Sequence, residues 1–221
     1  MKVLFPGVTI QTEVGSGDLF RQRHDLVGKK IILSVGRLVP RKGMFEFLKY
    51  SFPSVLKKCP EAVLVIIGAA AKDALKKNRD LTTDIHQIIA EQHLSDRVLL
   101  LGSVSDFELS EAYQAANVMV FPLRKTAGDV EGFGMVALEA AAHGLSTVAF
   151  SVDGVPDAIG ENRSGYLVEA GNYKKMSQIL TQILLAEGEI ISANSCQEFA
   201  QQFIWSNFGT KLRQIVSEIP C

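Results

Sequence analysis

Hydrophobic residues along this chain fall into short, unbroken runs that alternate with longer amphipathic segments. Unbroken runs rich in Val, Ile and Leu predict strands that are buried on both faces. Six strands are predicted, over residues 31–35, 62–67, 97–101, 118–121, 146–150 and 165–168. Helices are predicted over 44–58 (with a kink at Pro53), 80–92, 107–116, 172–187, 190–203 and 206–218, and another follows residue 131 and ends at Gly144.

The alternation of strands and helices predicts the fold class. We expect an α/β fold with a Rossmann-like parallel sheet sandwiched by helices. Such sheets bind ligands beyond the carboxyl ends of their strands. The loops that follow the strands therefore place Arg37, Lys42, Gly102 and Glu131 at one edge. Residues 1–29 show no sustained period and are predicted to be irregular.

The amino-acid composition argues against some classes of function. The chain has 221 residues, 47% of them hydrophobic and 21% charged, with a net charge of −1. This balance is typical of a globular protein and argues against a general nucleic-acid binder. The three cysteines, Cys59, Cys196 and Cys221, are far apart, which favours free thiols in a reducing compartment and a cytoplasmic location. No apolar run approaches the ~18 residues of a membrane span.

Residues 131–139 (EGFGMVALE) form the most informative segment. Glu139 lies in an apolar helix and needs a hydrogen-bonding partner, because an unpaired buried carboxylate is costly. The glycine-rich start of this helix suits a phosphate. Glu139 lies roughly 7 Å along the axis from Gly134, so one helix could hold a diphosphate at its tip and ribose hydroxyls on its flank. The alternative is that Glu139 pairs with a Lys or Arg and the glycines only form a tight turn.

A basic loop follows the first predicted strand. Residues 36–43 (GRLVPRKG) carry Arg37, Arg41 and Lys42 between two glycines. Arg suits bidentate phosphate contacts, and Lys acts as a mobile point charge. Taken alone, this loop reads as a solvated surface loop. Combined with the 131–139 segment at the same edge, it favours a diphosphate clamp.

These residues carry a resemblance to a known family. Residues 34–43 (SVGRLVPRKG), followed by 131–134 (EGFG) and Glu139, resemble the C-terminal domain of retaining GT-B glycosyltransferases. That family includes sucrose-phosphate synthases, phosphatidylinositol mannosyltransferases and lipopolysaccharide glucosyltransferases. Residues 129–132 (DVEG) look most similar to the phosphatidylinositol mannosyltransferase type.

The resemblance implies a role for each matching residue. Arg37, Lys42 and Glu131 would be catalytic: the two cations would grip the donor's diphosphate, and Glu131 would contact hydroxyls of its sugar. The resemblance also implies residues that bind the donor through backbone N–H groups at the helix tip, through its ribose or at the edge of the base site. These donor-binding residues are Gly36, Gly102, Val104, Phe133, Gly134, Met135, Val136 and Glu139. The donor would be a UDP- or GDP-linked sugar, with no cofactor and no metal ion.

The resemblance also implies a missing partner, since family members place the active site between two domains. An acceptor-binding N-terminal domain should precede residue 1, either removed from the chain or present as a separate one. Residues 1–29 would then lead in from that domain, 30–205 would form the donor-binding domain, and the helix at 206–221 would pack on the absent half. We expect this chain alone to be inactive. The cytoplasmic face of a membrane remains an alternative location for the full-length enzyme.

Two other function classes compete with the transferase. A non-catalytic nucleotide-sugar-binding or regulatory module would need the same residues. A dinucleotide-dependent oxidoreductase is disfavoured, because no G-x-G-x-x-G follows the first strand. The sequence does not specify the base, the sugar, the acceptor or the oligomeric state.

Overall fold

The computed structural model describes residues 4–9, 15–69, 81–126 and 128–218. Its six strands are β1 (Lys30–Val35), β2 (Ala62–Ile67), β3 (Val98–Gly102), β4 (Val118–Phe121), β5 (Thr147–Phe150) and β6 (Gly165–Val168). They form one sheet in the order β3-β2-β1-β4-β5-β6, and every neighbouring pair is parallel. All residues of β2, β4 and β5 are buried, as expected for strands covered on both faces. The predicted fold class is confirmed.

The helices form two groups that flank the sheet. They are α1 (Gly17–Arg23), α2 (Met44–Tyr50), α3 (Phe52–Leu56), α4 (Leu81–Glu91), α5 (Asp106–Ala115), α6 (Met135–Ala142), α7 (Tyr173–Leu185), α8 (Ala193–Ala200) and α9 (Trp205–Ser217). In one group α2 contacts α3, α4 and α7, and α3 also contacts α7; in the other α1 packs on α5 and α6 on α8. Across the described ranges, no helix combines the length and apolarity needed to cross a bilayer.

The strand order creates a switch point between β1 and β4. From β1 the chain moves outward through β2 to β3, whereas from β4 it moves outward in the other direction through β5 to β6. Because all strands are parallel, the loops after β1 to β4 leave from one edge, as predicted. The loops after β1 and β4 border the crevice where open α/β sheets bind ligands.

The prediction of an irregular segment over residues 1–29 is wrong for α1. Ser16 caps this helix by accepting a hydrogen bond from the backbone N–H of Leu19. Phe20 is entirely buried, and Arg23 pairs with the buried Glu111 of α5. The helix has only seven residues, so it leaves no periodic pattern in the sequence and depends on these tertiary contacts.

The predicted helix at 44–58 is two helices. It breaks at Ser51, and Pro53 takes the second position of α3. Proline is tolerated in the first turn of a helix but cannot continue one from the preceding turn. The predicted helix at 190–203 is also shorter, since Ser192 caps α8, which passes into a 3-10 turn at Gln201–Phe203.

The start of the described chain pairs with the segment before α9. The backbone N–H of Val8 donates to the carbonyl oxygen of Phe203 at 2.7 Å, and Val8 bridges to Ile204. The helix α9 itself buries none of its residues. Trp205, Leu212 and Val216 on it are 54%, 41% and 58% exposed. Residues 219–221, at the end of the predicted helix, lie outside the described residues. The division of the chain at 1–29, 30–205 and 206–221 stays a prediction.

Two of the cysteines are buried and unpaired. Cys59 and Cys196 form no disulfide. Burial raises the pKa of each thiol to about 11, so both are protonated near neutral pH. Cys221 lies outside the described residues. The prediction of free thiols is confirmed for the first two.

Candidate functional site

The basic loop leaves β1 at the switch point. Gly36 adopts φ +137°, and a Cβ there would lie 3.6 Å from Nζ of Lys42, so the lysine side chain folds back along the loop. Arg37 is exposed, and within the described part of the chain its guanidinium makes no hydrogen bond or ion pair. The loop thus presents one cation to solvent and draws another inward.

Gly43 brings the basic loop against the loop that follows β4. It adopts φ +69°, and a Cβ at this position would lie 1.9 Å from the carbonyl oxygen of Pro122. No side chain fits such an approach. In addition, the backbone N–H of Arg124 donates to the carbonyl oxygen of Arg41 at 2.8 Å. The two loops that border the switch point are therefore in direct contact.

Four charged side chains join these loops, and we call Arg41, Lys42, Asp129 and Glu131 the charge cluster. Nε of Arg41 donates to Oδ1 of Asp129 at 2.8 Å, and Nζ of Lys42 donates to Oε2 of Glu131 at 2.8 Å. The guanidinium of Arg41 donates to the same oxygen of Glu131. Arg41 is only 5% exposed. The predicted catalytic pair Lys42 and Glu131 is thus brought together, with one neutralising the other.

The members of the charge cluster shift one another's pKa values. Burial opposes the charge on Glu131, but hydrogen bonds and charges from Lys42 and Arg41 outweigh it and hold the pKa of Glu131 below its usual value. Burial lowers the pKa of Lys42 below that of an ordinary lysine, and this effect exceeds the support from Glu131. Arg41 and Arg37 add repulsion. Lys42 is therefore a cation for which a further anionic partner would be favourable.

The tip of α6 faces the same crevice. Gly134 forms the N-cap with φ +92°, and no side chain caps the helix, so its first N–H groups are available to an anion. Phe133 is buried and stacks on Phe5 with ring centroids 4.9 Å apart, which fixes the backbone before the helix. Gly134 packs on the ring of Phe121, and Nζ of Lys42 lies 4.7 Å from the centroid of that ring. The helix tip and Lys42 thus lie against one side chain.

Glu139 has a protein partner, and this partner is a tyrosine. The hydroxyl of Tyr113 donates to Oε2 of Glu139 at 3.0 Å. Burial, together with the charge of Glu139, raises the pKa of Tyr113 well above its usual value, so the hydroxyl keeps its proton. Among the described residues no Lys or Arg forms an ion pair with Glu139. The predicted need for a hydrogen bond is confirmed, and the alternative of a cation partner is not found.

Glu139 opens into a cavity of about 330 Å³ that α5 and α6 line together with residues 7–9 and Trp205 of α9. Met135, in the first turn of α6, lines it together with Glu139, so the cavity reaches back to the helix tip. His143 lies on the same wall, stacked on Tyr113 with ring centroids 4.9 Å apart. Its Nδ1 donates to the carbonyl oxygen of Glu139 at 2.8 Å, and its Nε2 lies 3.0 Å from the hydroxyl oxygen of Ser110.

Sequence reasoning missed the α5 wall of this cavity. Gly102 is the last residue of β3, not a loop residue as predicted, and Val104 follows the strand; neither lines the cavity. Asp106, Leu109, Ser110 and Tyr113 do, and their spacing of three or four residues marks one face of α5. That spacing was visible in the sequence, but nothing there showed that this face meets Glu139.

The described residues hold no obvious metal site. Within residues 4–9, 15–69, 81–126 and 128–218, no three His, Cys, Asp or Glu side chains cluster in a way that could hold an ion. Metal independence remains a prediction.

Comparison with known proteins identifies the family. Residues 18–203 match the sequence profile of the Glycosyl transferases group 1 family, and the chain therefore belongs to that family. It is 29% identical over 196 residues to the GDP-mannose-dependent alpha-(1-6)-phosphatidylinositol monomannoside mannosyltransferase of Mycobacterium tuberculosis, covering 87% of this chain and 48% of that protein. It is 30% identical over 207 residues to the D-inositol 3-phosphate glycosyltransferase of Mycolicibacterium smegmatis, covering 93% and 44%. The chain thus spans about half the length of the curated relatives it matches.

Solved structures share the fold. HepE of Anabaena, crystallised in complex with UDP, superposes with a TM-score of 0.83 at 21% identity, over 99% of this chain and 57% of that one. Sucrose-phosphate synthase from Thermosynechococcus elongatus gives 0.75 at 23% identity, over 98% and 52%. The C-terminal domain of the group 1 family protein LpcC from Francisella tularensis gives 0.67 at 25% identity, over 93% and 98%. The resemblance to GT-B glycosyltransferases is confirmed.

Proposed function

We propose that this chain is the donor-binding half of a retaining glycosyltransferase, which moves a sugar from a nucleoside-diphosphate donor to an acceptor hydroxyl. One observation carries the proposal: Lys42, the uncapped tip of α6 and the Glu139 cavity meet beside the switch point. A cation and a helix N-terminus suit a diphosphate, and a carboxylate one turn further along suits ribose hydroxyls.

In this proposal each part of the donor has its own position in the site. The diphosphate lies on the tip of α6, where N–H groups of Met135 and Val136 and the side chains of Lys42 and Arg37 surround it. The ribose enters the cavity beside Glu139, roughly 7 Å along the helix from Gly134. The base extends toward the loop at Gly102 and Val104.

Catalysis in this proposal is mainly electrostatic. As the bond between the sugar and the diphosphate breaks, negative charge develops on the leaving nucleotide. Lys42, Arg37 and the partial positive charge of the helix tip stabilise that charge without a metal ion. Glu131 and the backbone at Phe133 and Gly134 hold the sugar. No side chain of this chain needs to attack the sugar covalently.

We propose that a second, N-terminal domain supplies the acceptor site. Two comparisons support this proposal. This chain covers only about half the length of a curated relative, and it is similar to a domain described as the C-terminal domain of a group 1 protein. The exposed apolar residues of α9 provide the surface on which the other domain would pack. This chain alone would then bind the donor without transferring its sugar.

Calorimetric titration tests the proposal. The names of the comparison proteins include GDP-mannose as well as UDP, so the base is an outcome of the experiment. The chain would be titrated with UDP, GDP, ADP and NAD in EDTA. We expect saturable binding of UDP or GDP. Binding of NAD in preference to every diphosphate, or of no nucleotide by the chain and by the full-length enzyme, would contradict the proposal.

A further inference from the structure

Arg41, like Asp129, is a member of the charge cluster to which no role has been assigned. It lies beside the predicted catalytic Lys42, yet its side chain is buried and turned away from solvent. Its guanidinium spans two carboxylates of the facing loop, donating from Nε to Asp129 and from a terminal nitrogen to Glu131. Its carbonyl oxygen also accepts a hydrogen bond from that loop. Arg41 is thus fixed at three points.

The contact with Glu131 is shared. Arg41 and Lys42 both donate to the same oxygen, Oε2, of Glu131. A diphosphate that binds Lys42 must therefore compete with a carboxylate for the ammonium group. If Lys42 were the only cation on Glu131, this exchange would leave a half-buried carboxylate without a counter-ion, which is strongly unfavourable. Arg41 already donates to Glu131, so this carboxylate would keep a counter-ion if Lys42 left it.

The geometry suits Arg41 to this task better than a lysine. Its planar guanidinium has separate N–H groups aimed at Asp129 and Glu131, whereas one ammonium group could not span both. Asp129 is the more exposed carboxylate, with 52% of its side chain accessible, and Glu131 the more buried, at 17%. Asp129 orients the guanidinium from the outside, and the guanidinium orients Glu131 on the inside.

We propose that Arg41 is a positioning residue of the donor site, which holds Glu131 so that Lys42 can exchange this carboxylate for the donor's diphosphate. The inference rests on the proposed function. Arg41 touches neither phosphate nor sugar and acts through Glu131. Its removal leaves Glu131 with Lys42 alone, and the diphosphate then competes against a stronger ion pair.

A double-mutant cycle tests this role by calorimetry with the nucleoside diphosphate that the wild-type chain binds. We expect Arg41→Met to weaken binding about tenfold, within the range of coupling between charges in contact. In a Glu131→Gln background the same change should alter affinity less than about twofold, because the competing carboxylate is absent. Glu131→Gln alone should strengthen binding, since Lys42 then has no carboxylate partner. Arg124→Met is the charge control, because it removes a cation of the facing loop that pairs with Glu46 instead.

Each result decides the proposal. An equal loss for Arg41→Met in both backgrounds would mean that Arg41 attracts the diphosphate by its own charge, and this overturns the positioning role. No loss in the wild-type background, or weaker binding in Glu131→Gln alone, also overturns it. A loss in Arg124→Met as large as in Arg41→Met would assign the effect to net charge.

A conservative variant guards against loss of folding. Arg41→Lys keeps the charge but cannot bridge both carboxylates, so we expect about a threefold loss that disappears with Glu131→Gln. Wild-type affinity in Arg41→Lys would overturn the bridging argument. Failure of the proposed function is separable, since it would appear as no saturable diphosphate binding by the wild-type protein. Diphosphate binding by the wild type that is unchanged in the Arg41 variants would contradict only the positioning role of Arg41.

Discussion

Replacing Glu139 with Gln probes the ribose part of the proposed site. The amide keeps a carbonyl oxygen that can accept from Tyr113, so the packing between α5 and α6 should persist. The negative charge that would bind ribose hydroxyls is lost. The substitution therefore separates the ligand contact from the internal one.

The expected magnitude follows from the surroundings of Glu139. A hydrogen bond to a charged group contributes about 1.5–3 kcal/mol, and each 1.4 kcal/mol changes an affinity about tenfold. Glu139 is partly exposed to the cavity, so solvent screening places the effect at the lower end. We expect Glu139→Gln to weaken nucleoside-diphosphate binding about tenfold. Tyr113→Phe should cost less, because it removes only the hydroxyl that orients the carboxylate.

The assay compares a ribonucleoside diphosphate with its 2′-deoxy form by calorimetry. The wild-type chain should prefer the ribose form about tenfold, and Glu139→Gln should reduce this preference to about threefold or less. Glu169→Gln, which changes an exposed carboxylate just beyond β6, is the matched control and should retain the wild-type preference. An unchanged ribose preference in Glu139→Gln would refute the assignment of Glu139 to the ribose.

Three further predictions concern the basic loop and the core. Diphosphate affinity should fall as pH rises through the lowered pKa of Lys42, and this fall should begin below the pKa of an ordinary lysine. Lys42→Arg should remove the fall. The same pH dependence in the wild type and in Lys42→Arg, measured by titration across pH, would contradict this prediction. Gly43→Ala should destabilise the fold by about 3 kcal/mol or more in urea unfolding, whereas Gly28→Ala, with a similar φ but open space around it, should cost only about 1–2 kcal/mol. Cys59 and Cys196 should resist alkylation at pH 8 until the protein unfolds, as peptide mass mapping can show, and rapid labelling of the native protein would be at odds with their burial.

The sequence predicted the sheet because its strands are unbroken apolar runs. The bounds of β2, β4 and β6 agree residue for residue, since Gly68 and Pro122 end two of these runs visibly. The helix α1 escaped prediction because its stability comes from the buried Phe20 and from a distant helix, not from a periodic pattern.

The residues of the candidate site that belong to local sequence motifs were predicted. The contacts between residues far apart in the sequence were not. Arg41 and Lys42 are adjacent and look equivalent in the sequence. Asp129 and Glu131, 88 and 90 positions away, hold the side chain of Arg41 inward. In the same way, Tyr113 lies 26 positions from Glu139, and no local spacing joins the two. Pairings of this kind are set by how the helices and loops meet across the sheet.

In the proposed site, Lys42 and the tip of α6 bind a diphosphate while Glu139 binds the attached nucleoside. The most direct test is the affinity of the preferred nucleoside diphosphate divided by that of its nucleoside, measured for the wild type and for Lys42→Ala. Lys58→Ala, which removes an exposed lysine beyond α3, is the control. We expect Lys42→Ala to lower this ratio about tenfold or more through loss of a charge-assisted contact, while nucleoside affinity stays within about twofold. An unchanged ratio in Lys42→Ala would contradict the account.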